Sequence, residues 1–225
     1  QFRFRLNTGR VRAQWHTMTR SGLSPRLADP LPEPFVEVHP RDAAQAQLAD
    51  GGYARVSTAH GSCVLKVVVS AGQRRGSLFA PIHWSDATAS SARVCDLVAP
   101  ACDPHSGQPE AKATPAAIGP VDFRYAGFAL GLTAGDLPPG TWWARVTVPN
   151  GMGLQLASND APDKWRAHAA AAFAGAEIAE YSDEGGVYRV AAFRDERLAG
   201  CIFIGPQAAA PRWDAVKPLF AAEAL

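Results

Sequence analysis

Hydrophobic and polar positions alternate from the first residues, with Phe2, Phe4 and Leu6 set between Arg3, Arg5 and Asn7. A period of two belongs to a strand with one buried face. The chain is therefore expected to open inside a strand, as a piece of a longer polypeptide would. Residues 34–39 read as a second strand, after which Pro40-Arg-Asp leads into a helical stretch over 43–49 that Gly51-Gly52 ends. Residues 53–57 and 63–69 read as strands on either side of a turn at His60-Gly61-Ser62. A further turn at 72–76 precedes the apolar run 77–82, and 85–98 is expected to form a short helix. Residues 99–120, rich in Pro, Asp, Ser and Gly, read as a long ordered loop that divides the chain.

Beyond that loop, 121–132, 141–148 and 153–157 have strand-like patterns, and Gly151 and Gly153 suggest a turn after Asn150. An Ala-rich helix is expected over 162–174 with Pro162 at its start. Residues 188–193 and 199–204 read as a hairpin closed at 194–197, and 211–225 as a final helix. Asp183 and Glu184 sit beside Gly185-Gly186 as turn residues. Many short strands joined by tight turns favour a closed β-barrel over a parallel doubly wound sheet. The expected organisation is a mainly β domain over 1–118 and a small α+β unit over 119–225.

Composition narrows the function classes. No run of 18 uncharged apolar residues occurs, so no transmembrane helix is expected. Gln-Phe-Arg-Phe-Arg-Leu is neither a signal peptide nor a twin-arginine leader. The net charge of +1 is unevenly spread: residues 1–28 carry six arginines (3, 5, 10, 12, 20, 26) and no carboxylate, which leaves 16 basic against 21 acidic residues elsewhere. Such a segment points to one anionic ligand site more than to a nucleic-acid surface, and the guanidinium fork suits phosphate. A plainly solvated basic stretch is the alternative. Cys63, Cys95, Cys102 and Cys201 form no C-x-x-C, and the six histidines (16, 39, 60, 83, 105 and 168) have no metal-ligand spacing. Scattered thiols fit a reducing compartment, with Cys63 and Cys201 expected to be buried.

Self-contained catalytic signatures are missing: there is no G-x-S-x-G, P-loop, H-E-x-x-H or G-x-G-x-x-G. Two polar stretches stand out instead. In Asn7-Thr-Gly-Arg10 a strand runs into Gly9, where the lack of a side chain would let a ligand approach the backbone; Arg10 could grip an oxyanion bidentately. Trp15, His16, Thr17 and Thr19 add a flat face and short polar groups. In 72–88 a strand delivers His83-Trp84, and Ser85-Asp86 would cap the expected helix and present its N-terminus to an anion. Asp86 suits the cap better than a ligand role. His60 and His168 read as surface residues.

Thr8-Gly-Arg10 with Trp15-His-Thr-Met-Thr19, then Gly72-Gln-Arg-Arg-Gly76 and Pro81-Ile-His-Trp-Ser-Asp86, resemble the C-terminal molybdopterin dinucleotide-binding domain of the molybdopterin oxidoreductases. Within that family the sequence is most similar to the assimilatory nitrate reductase catalytic subunit, a likeness that Asp103-Pro-His-Ser-Gly-Gln-Pro-Glu-Ala-Lys112 strengthens. The resemblance covers about the first half of the chain. It implies a double-psi β-barrel of the aspartate-decarboxylase-like kind that closes over molybdopterin guanine dinucleotide and its molybdenum. By similarity Thr8, Gly9, Arg10, His16, Met18 and Thr19 would contact one arm of the cofactor. His83, Trp84 and Ser85 would lie beside the pterin, with Lys112 in reach. Each of these residues also has a purely structural reading. Related enzymes often carry an Asn after the His-aromatic pair; here 87–91 read Ala-Thr-Ala-Ser-Ser, so that role is not carried over.

The family's N-terminal cysteine motif for an iron–sulfur cluster and its protein ligand to molybdenum have no counterpart among these 225 residues. The resemblance therefore implies a cytoplasmic, incomplete enzyme part. It would work with the parent's N-terminal domains and an electron donor protein, away from nucleic acid and membrane. The parent would reduce nitrate to nitrite, and the isolated chain would be inactive. The alternatives are the same domain from a formate dehydrogenase-like molybdenum or tungsten enzyme, or a stand-alone binding module.

Overall fold

The opening alternation becomes strand β1 (Phe4–Gly9), which buries Leu6 and Thr8 and leaves Arg5 outside. The computed structural model describes residues 2–149, 151–212, 214 and 216–220. A short helix α1 (Pro25–Ala28) follows β1. Then come β2 (Phe35–Val38), helix α2 (Pro40–Gln45), β3 (Tyr53–Ser57), β4 (Ser62–Val69), β5 (Ser77–Pro81) and β6 (Thr114–Val121). These six strands close into a barrel in the order β1-β5-β2-β4-β3-β6. The β1–β5 and β2–β4 pairs are parallel, and the other neighbours are antiparallel. Closure leaves no free strand edge, and Leu6, Val36, Val56, Leu65, Leu78 and Ala116 are buried.

Several expectations over this region are corrected. The helix expected at 43–49 lies at Pro40–Gln45, because the His39 side chain caps it by accepting from the Arg41 N–H at 3.1 Å and Pro40 opens its first turn. Gln47, at φ +56°, has already left it. No α-helix forms over 85–98. The Thr88 hydroxyl closes a turn on Ser85, Ser91 turns to bond the Val64 N–H, and only Val94–Leu97 winds into a 3-10 turn. Short hydroxyl side chains here compete with helical hydrogen bonding. The expected loop over 99–120 ends early, since Thr114–Val121 is the strand that closes the barrel. Its prolines misled the reading: Pro115 and Pro120 sit exposed in the ladder.

The second sheet is antiparallel throughout: β7 (Tyr125–Leu130), β8 (Trp142–Val148), β9 (Gly151–Ser158), β10 (Glu177–Ser182), β11 (Tyr188–Arg194) and β12 (Arg197–Pro206). Their order is β10-β11-β12-β7-β9-β8. Helix α3 (Pro162–Ala172) buries Trp165 and Ala169 against Leu156, Tyr188, Ile202 and Ile204. Gly151 and Gly153 belong to β9 and not to a turn. The β11–β12 hairpin turns through Asp195 and Glu196 at φ +51° and +59°, the left-handed pair that matches strand twist. Strand β10 was missed because all six residues are exposed and leave no hydrophobic period. The expected final helix is reduced to α4 (Lys217–Phe220); residues 213, 215 and 221–225 of that expectation lie outside the described residues. The strand expected over 121–132 is also shorter, and His168 is half-buried where a surface position was expected.

Two compact units result. One joins the residues up to Ser21 with Glu33–Asp122; the other joins Gly22–Pro32 with the residues from Phe123 onward. No helix among the described residues is long and apolar enough to cross a membrane.

Cys63 and Cys201 are buried, while Cys95 and Cys102 are exposed. Burial pushes the Cys63 thiol up to about 12, helped by Asp96, Asp86 and Cys95, and burial pushes Cys201 to about 12. Thiolate is the reactive form. Titration with a thiol reagent at pH 8 should label Cys95 and Cys102 rapidly and the other two only on unfolding. Four equally fast thiols would contradict the burial described.

Candidate functional site

Strands β1 and β5 run parallel and finish together, with Gly9 beside Pro81 and the Ile82 N–H donating to the Gly9 carbonyl at 3.0 Å. The two polar stretches singled out in the sequence leave from this shared end. They are tied together at once. The Val11 N–H donates to Nε2 of His83 at 2.9 Å, and Nδ1 of the same ring meets the His16 carbonyl. A carbonyl only accepts and a backbone N–H only donates, so the two contacts match the tautomer with the proton on Nδ1 and Nε2 as acceptor. The ring has no exposed surface. Its chemistry is spent on the loop's backbone, and its position is that of a clamp.

The clamped loop is otherwise costly to hold. His16 and Met18 adopt φ of +47° and +61°, a region that costs side-chain-bearing residues about 1 kcal/mol or more each. Inside the loop, Ser21 donates to Gln14 Oε1 at 2.6 Å and accepts from the Trp15 N–H at 3.1 Å. Both residues are buried. Sequence reasoning missed this pair, because two polar residues seven apart in an irregular segment leave no periodic signal. The loop keeps Met18 buried and turns Arg10, Arg12, Trp15, His16, Thr17, Thr19 and Arg20 outward. Trp15 stands edge-on to His16 at 4.8 Å, and the Arg20 guanidinium lies 5.8 Å from the Trp15 ring centre.

On the other side of β1, residues 111–113 are strapped to the strand. The Thr8 hydroxyl donates to the Ala111 carbonyl at 2.8 Å, the Ala113 N–H donates to Asn7 Oδ1 at 3.2 Å, and the Lys112 ammonium donates to the Thr8 carbonyl. The room that Gly9 leaves is taken by the chain itself: a Cβ there would stand 2.9 Å from the Phe79 ring and 3.8 Å from Lys112 Nζ. The sequence reading had given that room to a ligand. Gly9 serves instead to let the Phe79 ring of β5 lie against β1.

Ten residues were expected in the site. Thr8, His16, His83 and Lys112 take part in these bonds; Gly9 and Arg10 follow Thr8 along the chain, Arg10 exposed and with no side-chain bond shown, Met18 is buried in the loop, Trp84 and Ser85 come next after His83, and Thr19 is exposed in the loop. Trp84 is 2% exposed and its indole N–H has no acceptor among the described residues. Ser85 is half-buried and starts a turn, so the helix N-terminus expected there to face an anion does not exist. Arg10, Arg12 and Arg20 form no ion pair among the described residues, and neither do Arg3, Arg5 and Arg26.

A cavity of about 370 Å³ lies elsewhere, lined by Arg3, Phe4, Asp42, Gln45 and Ile118 among others. It sits where β1 begins, five strand steps of about 3.3 Å from Gly9. Arg3 shares that lining with the Asp42 carboxylate, which Arg75 and the Gly76 N–H engage, whereas residues 10–21 at the far end include no Asp or Glu; the Glu110 carboxylate there accepts from the Lys112 N–H. Charge and the spare Trp84 donor favour the loop end.

Residues 4–115 match the family model of the molydopterin dinucleotide binding domain. The chain belongs, through this barrel, to the molybdopterin oxidoreductase family. The matched span of the dinucleotide binding domain runs from β1 into β6 and holds every residue of the clamped site. A nitrate reductase from Klebsiella oxytoca is 43% identical over 160 residues, which are 71% of this chain and 18% of that protein. The assimilatory nitrate reductase catalytic subunit of Bacillus subtilis (strain 168) is 33% identical over 116 residues, 52% of this chain and 16% of that one. The F420-dependent formate dehydrogenase 1 subunit alpha of Methanococcus maripaludis is 33% identical over 113 residues, 50% of this chain and 16% of its own length. The chain thus spans less than a fifth of the length of these relatives.

Proposed function

We propose that the chain is the C-terminal, dinucleotide-binding part of an assimilatory nitrate reductase, and that the barrel of β1 to β6, which ends at Val121 and not at the expected boundary of 118, is a double-psi barrel holding molybdopterin guanine dinucleotide. The observation that carries this reading is the His83-clamped loop, which offers guanidinium groups without a carboxylate partner beside a buried indole donor that lacks an acceptor. Arg10 would grip a phosphate of the dinucleotide. Trp84 Nε1 and the Lys112 ammonium, which has two further protons to give, would meet polar atoms of the pterin. Thr8 and Gly9 fix the strand end; His16, Met18 and Thr19 would line the cofactor through the loop backbone. When bound, the group supplies the two-electron oxygen-atom transfer that turns nitrate into nitrite. The chain's own residues bind it, orient it and keep water from one side.

In this reading the iron–sulfur cluster, the electron donor contact and the ligand to molybdenum belong to the parent's other domains, and the location is cytoplasmic. The formate dehydrogenase reading keeps a claim through the Methanococcus relative, which shares half of this chain at 33% identity. Purified full-length parent, given nitrate with a reduced viologen dye and, separately, formate with the oxidised dye, decides between them. Nitrite formation without formate oxidation is expected, and the isolated chain should give neither. Formate oxidation without nitrite would assign the domain to the other branch; turnover by the isolated chain would end the incomplete-enzyme reading.

A further inference from the structure

Where β1 begins, the barrel wall has a gap. The ladder between β1 and β6 stops at Phe4 and Ala116, while β6 runs on to Val121 with β3 alone beside it. The cavity of about 370 Å³ opens at this place, and every residue that lines it belongs to the barrel unit. Its volume is that of a small-molecule site. Its lining has the matching make-up, with apolar walls from Phe4 and Ile118 and a few fixed polar groups.

Asp42 is the group that decides its chemistry. Helix α2 keeps this residue 6% exposed, and Gly76, at φ +71° before β5, donates its N–H to Asp42 Oδ2 at 2.7 Å. The other oxygen, Oδ1, has no hydrogen-bond donor among the described residues. Its one ion pair there is with Arg75 Nε at 3.8 Å, beyond hydrogen-bond reach and on a side chain that is 60% exposed. A buried carboxylate oxygen in that state costs free energy until something donates to it. Arg3, exposed at the same cavity, forms no ion pair among the described residues.

We infer that this cavity is a binding site for a small zwitterion of the amino-acid kind, separate from the cofactor loop. Its cationic head, an ammonium or a guanidinium, donates to Asp42 Oδ1, and its carboxylate pairs with Arg3. Both contacts are charge-assisted, and the Arg3 fork can take a carboxylate bidentately. A neutral ligand would leave both protein charges without a partner, and a polyphosphate would meet the Asp42 carboxylate. The site is thus chemically unlike the arginine-rich loop, and neither assignment needs the other.

Titrating the whole chain with free arginine while following amide NMR shifts tests this without any cofactor. The amides of Gln45, Gly76 and Ile118 should shift and saturate, while those of Gly9 and Lys112 stay where they were. Agmatine, which is arginine without its carboxylate, should bind about tenfold more weakly. Asp42→Asn keeps an acceptor for the Gly76 N–H but loses the charge, and it should weaken arginine binding about tenfold or more. Arg3→Ala, at an exposed position, should bring arginine down to the affinity of agmatine, and it carries the test alone if Asp42→Asn does not fold. No saturable shift at the cavity, unchanged affinity in either folded variant, or agmatine bound as tightly as arginine would each overturn the assignment.

Discussion

Replacing His83 with alanine should destabilise the chain by about 3–5 kcal/mol and release the loop that follows β1. Two effects add. The fully buried ring leaves a cavity, which alone costs about 2 kcal/mol or more. The Val11 N–H and the His16 carbonyl lose the only partner the ring gave them, at about 1–3 kcal/mol for each group that stays dry. Water reaching the opened loop would lower the second figure, which is why the sum stays near the cavity cost plus one lost bond. Urea unfolding followed by tryptophan fluorescence reads the loss as a lower midpoint. His83→Asn, which can still donate and accept, should recover part of it. A variant that unfolds like the wild type and keeps the Val11 amide protected would remove His83 from its role as clamp.

Arg10→Ala should do the reverse: leave folding within about 0.5 kcal/mol and weaken cofactor binding about 10- to 100-fold. Arg10 is exposed and without an ion pair among the described residues, so the folded state gives up little. A charge-assisted, bidentate contact to phosphate is worth about 1.5–3 kcal/mol, which sets the loss. Molybdenum per protein in the full-length parent is the readout. Arg10→Lys should recover only part, because a point charge cannot reproduce the planar fork. Full metal content in the alanine variant would take Arg10 out of the site.

How much of this could be read from residues alone follows the strength of each local signal. Strands with one buried face were legible: 53–57 is β3 to the residue, and 188–193 with 199–204 lies within the β11–β12 hairpin. Where no face is buried, as in β10, the pattern vanished. Where proline stands in a strand, as in β6, it read as loop, although closure of the barrel lets Pro115 and Pro120 sit outward. Ser and Thr over 85–91 read as helix yet closed turns with their own hydroxyls. In the site, the stretches 7–19 and 83–86 were found from arginine, glycine and His-aromatic spacing. Their mutual bonds were not, since a histidine that bonds backbone across 72 residues leaves no trace in composition. The bond from the Thr147 hydroxyl to the Gly22 carbonyl, within the second unit, is invisible for the same reason.

The most direct measurement maps where molybdopterin guanine dinucleotide touches this chain. Amide exchange or NMR shifts recorded on adding it should change at Gly9–Met18, His83–Ser85 and Lys112, and leave Phe4, Asp42, Gln45 and Gly76 at the far barrel end as they were. Changes confined to that far cavity, or no changes at all, would contradict a cofactor loop held by His83.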